Sequence, residues 1–128
     1  MTREPLSVGK PWEKTIAFSL GVVTEGRLLH TSGITARDPD GTLVGVGNVR
    51  AQIEQCFKNV GDVLRAAGAG LDDVVKWTMY TTDIDAFSRE GEVWQRYFVG
   101  RPASTLVEVR RLVHPDMLVE IEAVAVLK

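Results

Sequence analysis

Cysteine and histidine are scarce in this sequence: one Cys and two His in 128 residues. A lone cysteine, Cys56, cannot close an internal disulfide, so the chain reads as cytoplasmic rather than as a disulfide-stapled secreted domain. Transition-metal sites need several His, Cys or carboxylate ligands at workable spacing. His30, His114 and Cys56 have no such spacing, so no metal is expected. There is no G-x-x-x-x-G-K phosphate loop and no G-x-S-x-G nucleophile elbow. G-V-G-N at 45–48 lacks the third glycine and the preceding strand of a dinucleotide fingerprint. No cofactor is expected either. Long apolar runs are also missing, and none approaches the ~20 residues of a membrane-spanning helix. The N-terminal M-T-R-E-P-L-S-V-G-K-P-W-E-K lacks the apolar stretch of a secretory signal. Nor does charge of one sign dominate. Fifteen Lys and Arg are scattered among seventeen Asp and Glu, for a formal charge of −2, whereas nucleic-acid binding draws on clustered basic residues. These absences leave a small molecule, rather than nucleic acid or membrane, as the expected partner.

What is present suits one soluble domain over residues 1–128. Hydrophobic residues make up 45% and charged residues 25%, enough apolar material for a core at this length. Residues 18–24 and 27–32 read as two strands joined at Glu25-Gly26 in a hairpin. D-P-D-G at 38–41 is a turn. Val49, Ile53, Cys56, Phe57, Val60, Val63, Leu64 and Ala67 recur at helical spacing, with Asn48 as N-cap and Gly68 and Gly70 at the end. Residues 73–82 are rich in β-branched and aromatic side chains and read as a strand. Residues 83–99 read as a second helix with Phe87, Val93, Trp94, Tyr97 and Phe98 on its apolar side. Gly91 costs that helix about 1 kcal/mol relative to alanine. Strands at 104–112 and 117–127 close the chain. The order ββαβαββ predicts an α+β domain, a mixed sheet with two helices on one face.

Two patterns carry chemistry. In L-V-E-I-E-A-V-A-V, residues 118–126, Glu120 and Glu122 fall on one face of a strand and Val119, Ile121, Ala123 and Ala125 on the other. Glu108 sits similarly in L-V-E-V. Such carboxylates either face water or lie in a cleft where one can position or deprotonate water. Ser104 follows the turn at Pro102. A serine nucleophile assisted by His114 is conceivable, yet nothing in the sequence brings the two together.

T-S-G at 31–33, A-A-G-A-G-L-D-D-V-V-K-W-T-M-Y-T-T-D-I-D-A-F at 66–87, R-P-A-S-T-L-V-E-V at 101–109 and L-V-E-I-E-A-V-A-V at 118–126 together resemble the RidA/YjgF family. The match is collinear from about Phe18 to Leu127. The resemblance implies a chorismate-mutase-like fold assembled as a homotrimer, with clefts between neighbouring subunits. One sheet face would pack on the helices and the other against neighbours, placing Glu108, Glu120 and Glu122 at an interface. It also implies hydrolysis of reactive enamines and imines, such as 2-aminoacrylate, to a keto acid and ammonia.

The implied site departs from the family pattern. Deaminating members carry P-A-R-S where this chain has P-A-S-T, so Ser104 takes the place of the arginine that grips the substrate carboxylate. Ser19 stands where a tyrosine is usual, Ile34 where a glutamine is frequent, Gly91 for an asparagine and Leu106 for a cysteine. Retained are Glu120, matching the acidic residue that positions the hydrolytic water, Gly33 with its backbone N–H, and Thr105 with its hydroxyl. Losing a hydrogen bond to a charged group costs about 1.5–3 kcal/mol, roughly tenfold to hundredfold in affinity. The resemblance therefore points to a changed substrate, larger or less charged, unless Arg37, Arg101 or Arg111 supplies a cation. The alternative is a non-catalytic trimer binding a small metabolite or a protein in the same cleft. Ribonuclease activity, attributed to some relatives, would need a basic groove or a His pair that the chain lacks.

Overall fold

The structure, a computed structural model, describes residues 2–128. Its elements are β1 (Thr2–Leu6), β2 (Gly21–Glu25), β3 (Leu28–His30), α1 (Val49–Ala66), β4 (Val74–Thr81), α2 (Ile84–Ser88), α3 (Gly91–Trp94), β5 (Ala103–Glu108) and β6 (Val119–Val126). α1 follows directly from its sequence. Ile53, Cys56, Phe57, Val60 and Leu64 form its buried stripe. The Asn48 side chain accepts the Ala51 N–H at 3.0 Å, satisfying one of the amides a helix start leaves unpaired. At the other end Gly68 takes a φ of +74°, which glycine adopts without steric cost, and the Ala69 N–H donates back to the Leu64 carbonyl at 2.8 Å.

Four strands make the central sheet in the order β3-β6-β4-β5, with β4 and β5 parallel and the other neighbours antiparallel. The sheet is therefore mixed, and the chain crosses from β4 to parallel β5 through α2 and α3. Alternation along β4 buries Trp77, Met79 and Thr81, and along β6 it buries Val119, Ile121, Ala123 and Ala125. These side chains meet α1 in one apolar core. The Phe57 ring stands edge-on to Trp77 at 4.9 Å and stacks on Tyr97 at 4.3 Å, a geometry that adds to the area these rings bury.

Three expectations need correction. The strands flanking Gly26 do not pair as a hairpin. β2 takes β1 as its partner, and β3 joins β6 in the main sheet, where Leu29 packs on the core. β1 was not expected at all. Its five largely polar residues are held by Arg3, whose guanidinium donates to the carbonyls of Val74 at 2.9 Å and Val99 at 3.0 Å. The helix expected over 83–99 is broken. α2 ends at Ser88, α3 begins at Gly91, and a 3-10 turn follows over Gln95–Tyr97. The Glu90 N–H donates to Phe87, three residues back, at 3.0 Å, tightening the last turn before the break. The break leaves Phe87, Val93 and Phe98 all buried, though their spacing fits no single straight helix.

Candidate functional site

The face of the central sheet turned away from α1 is polar and half-buried. β4 places Lys76, Thr78 and Tyr80 there, and β6 places Glu120, Glu122 and Val124, in cross-strand pairs Thr78–Glu122 and Tyr80–Glu120. The Tyr80 hydroxyl donates to the Glu122 carboxylate. That hydrogen bond first, then burial, then the charges of Glu122 and Glu120 hold the Tyr80 phenol above its ordinary pKa. On β5, Thr105 pairs with Thr78 on this face, and its hydroxyl oxygen accepts from Lys76 Nζ at 2.7 Å. Lys76 and Tyr80 were missed in the sequence, although the alternation K-W-T-M-Y already places them opposite Trp77 and Met79.

Glu120 has a specific neighbour. The 31–34 segment runs alongside β6, with the Thr31 N–H donating to the Ala123 carbonyl at 3.0 Å and Ile34 exchanging both backbone hydrogen bonds with Ile121 at 2.8 and 2.9 Å. This brings Gly33 against the Glu120 side chain. A Cβ added at Gly33 would overlap the carboxylate oxygen and lie 2.8 Å from Cδ. The absence of a Cβ at Gly33 is what lets the carboxylate sit this close; the glycine serves this approach, not an unusual φ. Ile34, paired with Ile121, packs on the core.

Ser104 lies elsewhere. It pairs with Trp77, whose ring is buried under the helices, so Ser104 and Leu106 occupy the helix-facing side of β5. β5 is one edge strand of the sheet, and the 31–34 segment borders β6 beyond the other end of the order. Three strand spacings, about 14 Å, separate the two edges. One chain thus brings Gly33 to Glu120, turns Ile34 to the core side beside Ile121, and leaves Ser104 and Thr105 at the opposite edge. Ser19 joins neither group. It is buried, and its hydroxyl lies between two carbonyl acceptors, those of Arg101 at 2.6 Å and Gly21 at 3.0 Å, to either of which it can give its single proton. Glu108 sits on the helix-facing side, where its carboxylate accepts the Ile84 N–H at 3.0 Å at the start of α2.

The three arginines considered as replacement cations also separate. The Arg101 guanidinium is committed to the carbonyls of Ile16, Glu13 and Phe18 at 2.8–2.9 Å, fixing the segment before β2. Arg111 donates to the Leu112 carbonyl at 3.2 Å. Arg37 lines a cavity between the 33–39 segment and α1. His30 lies in β3 and His114 in the loop before β6, while the Cys56 thiol is buried and donates to the Val119 carbonyl at 3.6 Å. Burial, with a smaller contribution from Glu120, pushes that thiol's pKa far up, which suits a packing residue rather than a nucleophile.

Comparison with known proteins agrees with this architecture. The family model described as Endoribonuclease L-PSP matches residues 12–127. A RutC family protein of Synechocystis is 43% identical over 126 residues, covering 96% of this chain and 90% of its own. This chain belongs to the RidA/YjgF family. Some members are named imine deaminases: the rat protein named 2-iminobutanoate/2-iminopropanoate deaminase is 34% identical over 125 residues, 97% of this chain and 90% of that one. Among solved structures, the Rid family protein YyfB of Yersinia pestis superposes with a TM-score of 0.87 at 30% identity, over 99% of this chain and all of that one. The YjgF product of E. coli gives 0.71 at 31% identity, covering 98% and 94%. Among the described residues, no helix is long and apolar enough to cross a membrane.

Proposed function

We propose that this RidA/YjgF member hydrolyses a reactive imine or enamine, in a cleft completed by a second copy of the chain. The observation that carries this reading is the seating of the Glu120 carboxylate against Gly33 on the open sheet face. A carboxylate there can take a proton from water as the oxygen attacks the C=N carbon. It can then return that proton to the nitrogen, giving a carbinolamine, and next carry the carbinolamine hydroxyl's proton to the nitrogen as the C–N bond breaks, so that C=O forms and ammonia leaves; an enamine enters after tautomerising to the imine. General-base help of this kind contributes about 10²–10⁴-fold. Gly33 offers its backbone N–H to a polar atom of the substrate.

In this reading Ser104 and Thr105 reach such a substrate from a neighbouring copy, because β5 is the edge strand opposite to the Gly33 edge, with β4 between it and Glu120. An edge meeting a different edge is a heterologous contact, which closes into a ring when the rotation permits. A homotrimer is the proposed ring. With Ser104 in place of a charged anchor, the usual 2-aminoacrylate is a poor fit, and a larger or less charged substrate a better one. A reducing cytoplasmic setting suits the single buried thiol.

The second reading, a non-catalytic trimer that binds a metabolite or protein, draws support from Ser19, whose hydroxyl is spent on backbone carbonyls, and from the uncharged Ser104. The experiment that separates the two follows ketone and keto-acid release from freshly generated imines, carboxylate-bearing and uncharged, with wild type and Glu120→Gln. Acceleration lost in the variant, with assembly unchanged, supports the hydrolase. Equal rates for both proteins and buffer support the binding module.

A further inference from the structure

The 33–39 segment and α1 border an open cavity of about 530 Å³. Gly33 and Ile34 line it, together with the cations Arg37 and Lys58 and the carboxylates Asp38 and Asp62. Gly33 abuts Glu120 on the open sheet face and borders the cavity on the α1 side, so the two spaces meet at this one residue at the sheet edge. The four charges are not equivalent. Asp62 is held by Arg65, and Asp38 Oδ1 accepts the N–H groups of Asp40 at 2.9 Å and Thr42 at 3.0 Å. The ion pairs among the described residues join Arg50 to Glu54 and Glu90, Arg65 to Asp62, His114 to Asp116, and Lys128 to Asp72 and Asp73. Arg37 and Lys58 take part in none of them. The 35–37 backbone of the cavity wall is tied to α1, since Asn59 Nδ2 donates to the carbonyls of Thr35 at 2.9 Å and Arg37 at 2.7 Å.

Resting on the hydrolase reading above, we propose that Arg37 and Lys58 bind a substrate carboxylate several atoms from the reacting carbon. The chain would then keep a charged anchor but move it from the Ser104 edge to the Gly33 edge, selecting imines and enamines with a remote acid group over small 2-imino acids. The two neighbouring carboxylates offset part of the cationic field, so a monoanionic carboxylate fits better than a dianionic phosphate. Arginine and lysine from separate elements can hold such a group by charge-assisted hydrogen bonds.

Calorimetric titration with 4-oxopentanoate, a ketone whose carboxylate is remote from the carbonyl, tests this without turnover. Pentan-2-one serves as the uncharged control probe, and Arg110→Ala removes an exposed cation outside the cavity. The expected result is that wild type and Arg110→Ala bind 4-oxopentanoate alike, and that Arg37→Ala and Lys58→Ala each bind it about tenfold to hundredfold more weakly. Pentan-2-one should bind more weakly than the acid and show no dependence on either residue. No binding by wild type, or equal weakening in Arg110→Ala, overturns the assignment. Residue-dependent binding without turnover of any imine would leave the anion site standing and remove the hydrolase. Turnover indifferent to Arg37 and Lys58 would do the reverse.

Discussion

The two faces of the central sheet obey different rules. On the face toward α1, Trp77, Met79, Val119, Ile121 and Ala125 are fully or nearly fully buried, and the chain supplies everything they touch. On the opposite face Lys76, Tyr80, Glu120 and Glu122 are only half-buried, and polar groups satisfy one another across strands. The first face is covered by the chain's own helix. The second holds carboxylates, a lysine and a phenol within reach of one another, and it lacks the apolar partner a finished core would have. Packing and polar pairing are thus divided between the two sides of the same two strands.

Substitutions on the two faces should therefore act on different observables. Glu120→Gln is expected to lower imine turnover by about 10²–10⁴-fold while leaving the urea midpoint within the range of ordinary surface changes. Trp77→Ala, which empties a fully buried site on the face toward α1, should cost about 3–5 kcal/mol of unfolding free energy, read from denaturant titration. Gly33→Ala should sit between them. Its Cβ would displace the Glu120 carboxylate, a flexible group that can rotate away, so kcat/KM should fall about tenfold or more with little change in unfolding.

The smallest effect belongs to Tyr80→Phe. The Tyr80 phenol is held above its ordinary pKa of about 10, so the folded protein binds that proton more tightly than the unfolded chain. The associated stability is fully present below the ordinary tyrosine pKa and is lost as pH rises through the raised one. Absorbance titration near 295 nm should show a late-ionising tyrosine in wild type that is missing in Tyr80→Phe. If both proteins titrate alike, the hydrogen bond to Glu122 does not persist in solution.

Sequence pattern made the closed face legible because burial imposes periodicity. The stripe from Ile53 to Leu64, the Asn48 cap and the alternation of Glu120 and Glu122 with Ile121 and Ala123 all follow from it. Pattern does not encode which strands become neighbours. That is why β2 and β3, adjacent in sequence, were expected to pair, and why β1, fastened by Arg3 to carbonyls some seventy residues away, left no local signal. The break before Gly91 was foreshadowed only by that glycine's cost. Candidate residues could be named through the family's motifs. Where they fall, with Gly33 beside Glu120 and Ser104 on the β5 edge, could not, since that depends on the strand order β3-β6-β4-β5.

Division of the site between copies can be tested by mixing two inactive variants, Glu120→Gln and Thr105→Trp, through joint unfolding and refolding. If one copy contributes Glu120 and its neighbour the β5 edge, random equal mixing restores intact clefts at about one quarter of the positions in a ring. Imine turnover should then return to roughly a quarter of the wild-type rate. If each chain carries its own complete site, no mixture holds an intact one, and activity that stays at the level of the separate variants would contradict the shared cleft.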